Sequence, residues 1–540
     1  MNTQILNSYK DSLIKTQNLF LLPLGEGANK KRWCSITIFS LIIALSLGLS
    51  SCVKDLTELN KDPNNSTEVN PESLFKYAVK RGNGDYLTAS HLEYNGLQQW
   101  VMYMATRGGV ETGNEYPSPA GGDSYWNSSY IDAMNNAQVV IRLTQNDAEL
   151  ANLNAAATIW KTFMMHRVTD LWGDAPYSQA LQGNPGIEFT PVYDHQEAIY
   201  SQMLTDLENA VQAIDASKPF IAGDADLIYG GEIENWKRFA NALRFRLAMR
   251  ISSVNSSLAE STIRSLQSEL LIENESQSAS FLYNSVYNKP LYEASVTRYQ
   301  EGAQYINPSK FLADLLINTN DPRIINILEK TSLSDTYPFI DEYRGVPNLL
   351  PYNSEEWDNY NLDAALGDPL GEWGDISRVG KWFLNNDRPV QLIGYSETCF
   401  LKAEAILKGW WTGDLSELFE EGISSHMAYM NEYSTETNIS DVDILNYNNQ
   451  FQNIDLEDII TQKYILFTYE NVFEAYADYR RTGYPVLLNY YEEGIDLDIF
   501  PRRLRYPYSE YTLNRDNYLQ AIENQGSDTQ LTRIWWDLER

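Results

Sequence analysis

Apolar residues along most of this chain recur three and four positions apart, the spacing that lines one face of an α-helix. The clearest run is in the first half, where Ala156, Ile159, Trp160, Phe163, Met164, Arg167 and Leu171 form one stripe until Gly173 and Pro176 stop it. The same pattern predicts a helix starting near Pro71 and others over 90–107 (with Leu97, Trp100, Val101 and Met104), 130–143, 194–214, 235–252 and 257–271. A helix pair is expected over 309–330, broken at Asp321-Pro322, followed by helices over 391–411, 415–433, 455–482 and 514–523. The 455–482 run closes on Arg480-Arg481-Thr482-Gly483-Tyr484-Pro485, a basic last turn followed by Gly and Pro. Little of the sequence has the two-residue period of strands, so the class is mainly α. The consecutive pairs have the length of solenoid repeats of ~34 residues, without a clean sequence period.

Three stretches lose the helical period. Residues 108–126 (GGVETGNEYPSPAGGDSYW) are rich in Gly, Pro and Ser, and read as an exposed loop carrying Tyr116 and Tyr125. Residues 274–308 spread Tyr283, Tyr287, Tyr292, Tyr299 and Tyr305 among polar positions, with short strands expected there. The longest is 331–389, with Tyr337, Tyr343, Tyr352, Trp357, Tyr360, Trp373 and Trp382 between acidic residues and glycines. Irregular stretches of that length are uncommon in compact bodies and tend to be functional.

One apolar run differs in kind. Ile36 to Leu49 follows Lys30, Lys31 and Arg32 and precedes Ser50, Ser51 and Cys52. A membrane-spanning helix needs ~20 apolar residues; this run suits the ~7–15-residue core of a secretory leader. Its Leu-Ser-Ser-Cys ending fits a bacterial lipobox, in which the Cys52 thiol takes diacylglycerol and becomes the new N-terminus. An ordinary cleaved leader before a free cysteine is the alternative. An anchor of several acyl chains holds firmly where one is marginal. The organisation read here is a removed leader with a long N-terminal extension (1–51), a lipidated tether (52–71) and a body (72–540).

Composition narrows the function. A formal net charge of −32 repels phosphate backbones and anionic lipid, which argues against nucleic-acid binding. A 43% hydrophobic content argues against disorder. Of three cysteines, Cys34 is in the leader, Cys52 takes the lipid and Cys399 is left without a partner, so no disulfide is expected. His91, His166, His195 and His426 are scattered, and neither a metal site nor a cofactor is expected. Arg238, Arg246 and Arg250 flank a seam of Phe239, Leu243, Leu247 and Ile251; in so acidic a chain they are expected to pair with carboxylates of neighbouring helices. Glu397 and Glu404, seven apart, would stand ~10.5 Å apart along a helix. That exceeds the ~5–9.5 Å of glycosidase pairs. With no nucleophile elbow, HExxH, Walker loop or GxGxxG, the chain is read as a non-enzyme, a surface glycoside hydrolase being the weaker alternative.

Several blocks, in order, resemble the SusD/RagB family of outer-membrane nutrient-binding lipoproteins. They are Asn60-Lys61-Asp62-Pro63, Ser124-Tyr125-Trp126-Asn127 with Asn135-Asn136-Ala137, and Asp170-Leu171-Trp172-Gly173-Asp174-Ala175-Pro176-Tyr177. Asn235-Trp236 through Arg250, Asp321-Pro322-Arg323 and Phe400-Leu401-Lys402-Ala403-Glu404-Ala405 follow. The last are Gln462-Lys463-Tyr464 to Tyr484-Pro485, and Tyr506-Pro507 with Glu510. The resemblance implies a single domain of tetratricopeptide-like helix pairs with long irregular loops and a few short strands on one side. It also implies a lipid-anchored position at the outer-membrane surface and delivery of an oligosaccharide, or in some members a peptide, to a SusC-like, TonB-dependent transporter. The family's helix blocks do not locate its ligand site.

A sugar-binding surface needs flat aromatic faces for the C–H side of the ring and polar groups for the hydroxyls. Two irregular segments hold that mixture. Tyr116 and Tyr125 stand near Asn114, Glu115 and Asp123, while Trp357, Tyr360 and Trp373 stand near Asn353, Asp358, Asn359 and Asp375. These five aromatics are the candidate ligand contacts, weighed against packing of loop to body; Trp126 and Trp172, inside the resembling blocks, are expected in the core.

Overall fold

A capped helix opens the described part of the chain: the Asn70 side chain accepts from the Glu72 and Ser73 amides, and Pro71 occupies the first turn of α1 (Pro71–Gly82). The computed structural model describes residues 69–83, 92, 96–106, 121–183, 188–221, 223–282, 306–348, 375–385, 387–434, 436–487 and 500–539. The leader, Cys52 and nearly all of the tether lie outside them.

Helix α2 (Gly122–Asn127) runs through a π-helical stretch, Ser128–Met134, into α3 (Asn135–Thr144). Next comes α4 (Ala151–Trp172), which is more than a one-striped helix, since every residue from Thr162 to Trp172 is buried. A helix buried on every side lies in the middle of a core, and its polar residues there, His166 and Asp170, are met by partners. It stops at Gly173, whose φ of 85° suits glycine and whose added Cβ would meet Gln525 Oε1 at 1.8 Å.

The remaining helices are α5 (Gln196–Ala213), α6 (Ile233–Arg250), α7 (Ser256–Ser265), α8 (Lys310–Asn318), α9 (Ile324–Ile327), α10 (Tyr395–Leu407), α11 (Leu415–Glu432), α12 (Asp441–Asn448), α13 (Leu456–Leu466), α14 (Val472–Thr482), α15 (Tyr508–Leu513) and α16 (Arg515–Gln525). Most pack against the next in sequence: α3 on α4, α4 on α5, α5 on α6 and α6 on α7. Then α6 meets α10, which packs on α11 and α13. The mainly α class expected from the pattern, and the single domain that the resemblance implies, are what the chain forms.

Four short strands complete it: β1 (Met104–Thr106), β2 (Ala279–Phe281), β3 (Ile306–Pro308) and β4 (Val390–Ile393), paired antiparallel as β1 with β3 and β2 with β4. Three helical expectations are corrected. In the 90–107 run the described residues are helical as far as Trp100, and Met102, at φ 57°, then turns the chain into β1. The 391–411 run begins as β4, because four apolar-rich residues cannot declare their period. The 455–482 run is two helices, split where Tyr469 takes φ 61° and packs its ring against Tyr103 and Phe383.

The core carries charges as well as five fully buried tryptophans, Trp100, Trp160, Trp172, Trp236 and Trp536. Arg246 grips Glu397 at 2.6 Å and Glu474 at 3.2 Å, while Arg250 contacts Glu474 and, at 3.5 Å, Asp170. His166 Nε2 lies 3.0 Å from Glu474. Arg481 binds Glu404 and Asp478, and Lys463 binds Asp478 at 2.6 Å. The expected pairing of the α6 arginines therefore holds, Arg238 reaching Glu273 at 3.3 Å. Glu397 and Glu404 are each 1% exposed and held by arginine. Cys399 is buried, and burial pushes its thiol up to about 12.

Burial alone would raise the Glu474 and Asp478 carboxyls, yet Arg246 and Arg250 hold the first well below its ordinary value, and Lys463 and Arg481 hold the second at about 2. Both titrate lower in the folded chain than unfolded, so the stability they supply is complete above about pH 5 and is lost as pH falls toward their folded values. Circular dichroism during an acid titration should show unfolding setting in below about pH 4. Glu474→Ala takes one of two carboxylate partners from each of two buried arginines and should cost ~3–5 kcal/mol in urea unfolding. A cost below about 1 kcal/mol would show the pairing to be dispensable.

Candidate ligand-binding face

One described end of each of the first two irregular stretches and both described ends of the third meet in one place. β1 ends at Thr106, β3 begins at Ile306, Asn348 ends one described stretch and Asp375 begins the next. Met104 pairs with Pro308 and Ala105 with Asn307; the Val346 amide then donates to Pro308 O at 2.9 Å and the Lys310 amide to Val346 O at 2.7 Å. Asn348 Nδ2 donates to Met104 O at 2.7 Å. The Ser377 amide donates to Arg344 O at 2.8 Å, and the Arg344 guanidinium holds Asp375 at 2.9 Å. Ala105, Val346 and Ile376 form a small apolar cluster within this floor.

The floor is bolted to the helices. Ser309 donates its amide to Tyr103 O at 3.0 Å and caps α8 by accepting from the Leu312 amide, and the Tyr103 hydroxyl donates to Tyr464 O in α13. Gly345 permits the close approach, since a Cβ there would stand 2.1 Å from Ser309 O.

Among the described residues, Asn307 Nδ2, a donor, and Asn348 Oδ1, an acceptor, are buried in the floor without a hydrogen-bond partner. Beside it opens a cleft of about 410 Å³ lined by Lys310, Asp314, Asp341, Tyr343 and Arg344. Tyr343 also lines a second cleft of about 380 Å³ with Asn326, Trp382 and Thr437. Burial pushes the Tyr343 phenol up. The rim charges are matched locally, Lys310 with Asp314 at 2.5 Å, Lys330 with Glu342 at 3.0 Å and Lys381 with Glu436 at 2.8 Å. Such a surface suits an uncharged ligand better than a strongly charged one.

Tyr116, Trp357, Tyr360 and Trp373 lie outside the described residues, so the structure brings none of them together. Tyr125 is corrected: it sits in α2 at 4% exposure, with its ring 5.3 Å from Phe473 and stacked on Trp172. The stretch read as loop to Trp126 becomes helix at Gly121, whose φ of 94° turns the chain, and the aromatic pair then faces the core. Trp126 and Trp172 are buried as expected. Asp375, expected as a polar contact, is buried and consumed by Arg344. Trp382 donates Nε1 to Met430 O at 2.9 Å under the Arg388 guanidinium, so it too is structural. Asn307 and Asn348 carried no sequence signal, since an Asn beside Pro reads as turn chemistry.

Residues 63–507 match the SusD-like family model described as starch-binding and associating with the outer membrane. No curated protein sequence matches the chain. Among solved structures it is similar to a chitin-binding protein at TM-score 0.74 and 25% identity, over 87% of this chain and 100% of that one. It is also similar to a chitin-binding SusD homologue from Flavobacterium johnsoniae at TM-score 0.68 and 26% identity, over 87% and 99%. A SusD homologue from Bacteroides fragilis NCTC 9343 aligns at TM-score 0.70 and 23% identity, over 86% and 100%.

Gly345→Ala should force the Val346–Asn348 segment off Ser309, destabilising the chain by ~1–3 kcal/mol in denaturant unfolding. A neutral result would mean that the floor can shift to admit a methyl group.

Proposed function

The chain belongs to the SusD-like family, and from that membership we propose that it binds an oligosaccharide at the cell surface and passes it, unaltered, to a SusC-like, TonB-dependent outer-membrane transporter. The observation that supports the reading is that Thr106, Ile306, Asn348 and Asp375, each flanking a segment outside the described residues, stand together on one floor. Trp373 stands two residues before Asp375, a span of about 7 Å when fully extended. Tyr116, Trp357, Tyr360 and Trp373 supply ring faces for sugar, while Asn307 Nδ2 and Asn348 Oδ1 offer a donor and an acceptor in a locally neutral setting. The family's description supports glycan binding and an outer-membrane location, and the chitin-binding neighbours make chitin oligosaccharides a natural first probe beside starch.

Catalysis has no support in the one carboxylate pair the sequence offered, because Glu397 and Glu404 are core ion-pair partners. Anchoring is assigned to a lipid on Cys52, which frees the body from any need to enter the bilayer. Among the described residues no helix is long and apolar enough to cross a membrane.

Calorimetric screening of the lipid-free mature chain against starch and chitin oligosaccharides should find a Kd in the ~μM range. Trp373→Ala or Trp357→Ala should weaken it about tenfold with the unfolding curve unchanged. Equal affinity in both variants would dismiss these aromatics as contacts, and binding of peptides alone would change the ligand class. Cys52→Ser should abolish incorporation of labelled fatty acid and release the protein from membranes; a variant that still sediments with membranes would remove the lipid from the account.

A further inference from the structure

A groove of about 670 Å³ opens among residues that share nothing with the floor, between the start of α2, residues 504–507 and the α15–α16 pair. Its most prominent side chain is Tyr508, 72% exposed, beside the partly exposed Tyr511. Their ring centres stand 5.8 Å apart with planes tilted by 31°, which makes a shallow shelf. The shelf is set in place before any ligand arrives. Tyr518 packs edge-on against Tyr511 at 5.8 Å, the Arg515 guanidinium lies 5.4 Å from the Tyr511 ring, and the Tyr518 hydroxyl reaches Asp528 at 3.3 Å. Asp528 is itself held by Arg503 and by the Tyr506 amide, and the Tyr193 hydroxyl pins Glu510 of α15 at 2.6 Å.

Packing does not account for Tyr508, whose ring meets water over most of its surface. Exposed ring faces accept the C–H side of a sugar, and polar groups at the edge take its hydroxyls. Here Arg505 and Asp123, both exposed, place one cation and one anion among the lining residues, so donors and acceptors are offered with no net charge between them. An anionic ligand would meet Asp123 and Asp528; a cationic one would meet Arg505.

We propose that this groove is a second binding site for a neutral oligosaccharide, with Tyr508 and Tyr511 as its stacking shelf. It takes its ligand class from the glycan reading above but stands on different residues. Two sites on one chain would let a long glycan be held at two points, raising avidity without tightening either site.

The test uses the mature chain labelled with 3-fluorotyrosine, the Tyr508 and Tyr511 resonances being assigned through Tyr508→Phe and Tyr511→Phe. Titration with maltohexaose and with chitohexaose should shift both resonances saturably for at least one sugar. The same shifts should persist in the Trp357→Ala/Trp373→Ala double variant. Tyr508→Ala, at a position exposed enough to leave folding alone, should weaken this response about tenfold. No shift with either sugar, or shifts that vanish in the tryptophan double variant, overturns the second site. Shifts that persist while the tryptophan variants bind like the parent would sink the floor reading and leave the groove standing.

Discussion

Glu474 has no water to turn to, and its charge is met by Arg246 and Arg250 from α6 and by His166 from α4. Those partners lie more than two hundred residues earlier in the chain. A charge so placed is tolerated only while its partners stay within reach, because losing one leaves another stranded in a medium that cannot solvate it. Asp170, Glu397, Glu404, Lys463, Asp478 and Arg481 extend the arrangement over α4, α6, α10, α13 and α14. Apolar side chains could fill the same volume in several ways, whereas matched charges accept few. The helices are thereby committed to one another, and their cations are spoken for.

That commitment decides where ligand chemistry can be found. Buried arginines with carboxylate partners cannot also greet a solute, so the proposed ligand contacts fall to residues outside these ion pairs. The floor of β1, β3 and the 344–348 and 375–377 stretches is such a place, joined to the scaffold through Tyr103 and Ser309 rather than through salt bridges. The groove at α15 and α16 is another, with Tyr193 and Asp528 doing for Tyr511 and Tyr518 what Ser309 does for β3. At the floor irregular chain supplies the surface, whereas the rings of the groove stand on α15 and α16 themselves.

The scaffold was legible from the sequence where many residues vote together. Long stripes, basic last turns and Gly-Pro stops gave α4, α5, α6 and α11 to within a few residues, and the acidity of the chain was enough to expect carboxylates beside Arg246 and Arg250. Reading failed where one or two backbone angles decide. Met102 and Tyr469 take left-handed conformations that no apolar period announces, and these two residues make β1 and divide 455–482. Tyr125 was misplaced because Gly, Pro and Ser before it suggested a loop one turn too long. Asn307 and Asn348 became visible only through the partners they lack. Four of the five aromatics read as ligand contacts, and Cys52, stand outside the described residues, so the role proposed for Cys52 rests on the Leu-Ser-Ser-Cys pattern and those of the aromatics on their composition and place in the chain.

Tyr343 belongs to no helix, yet it is the common wall of two clefts, about 410 Å³ on one side and 380 Å³ on the other. Its side chain lines both, so an exchange there bears on the two at once. The change would touch none of the core ion pairs, since neither Arg246 nor Glu474 contacts this side chain. The contour of this surface can therefore be altered at one position while the ion pairs beneath it stay intact.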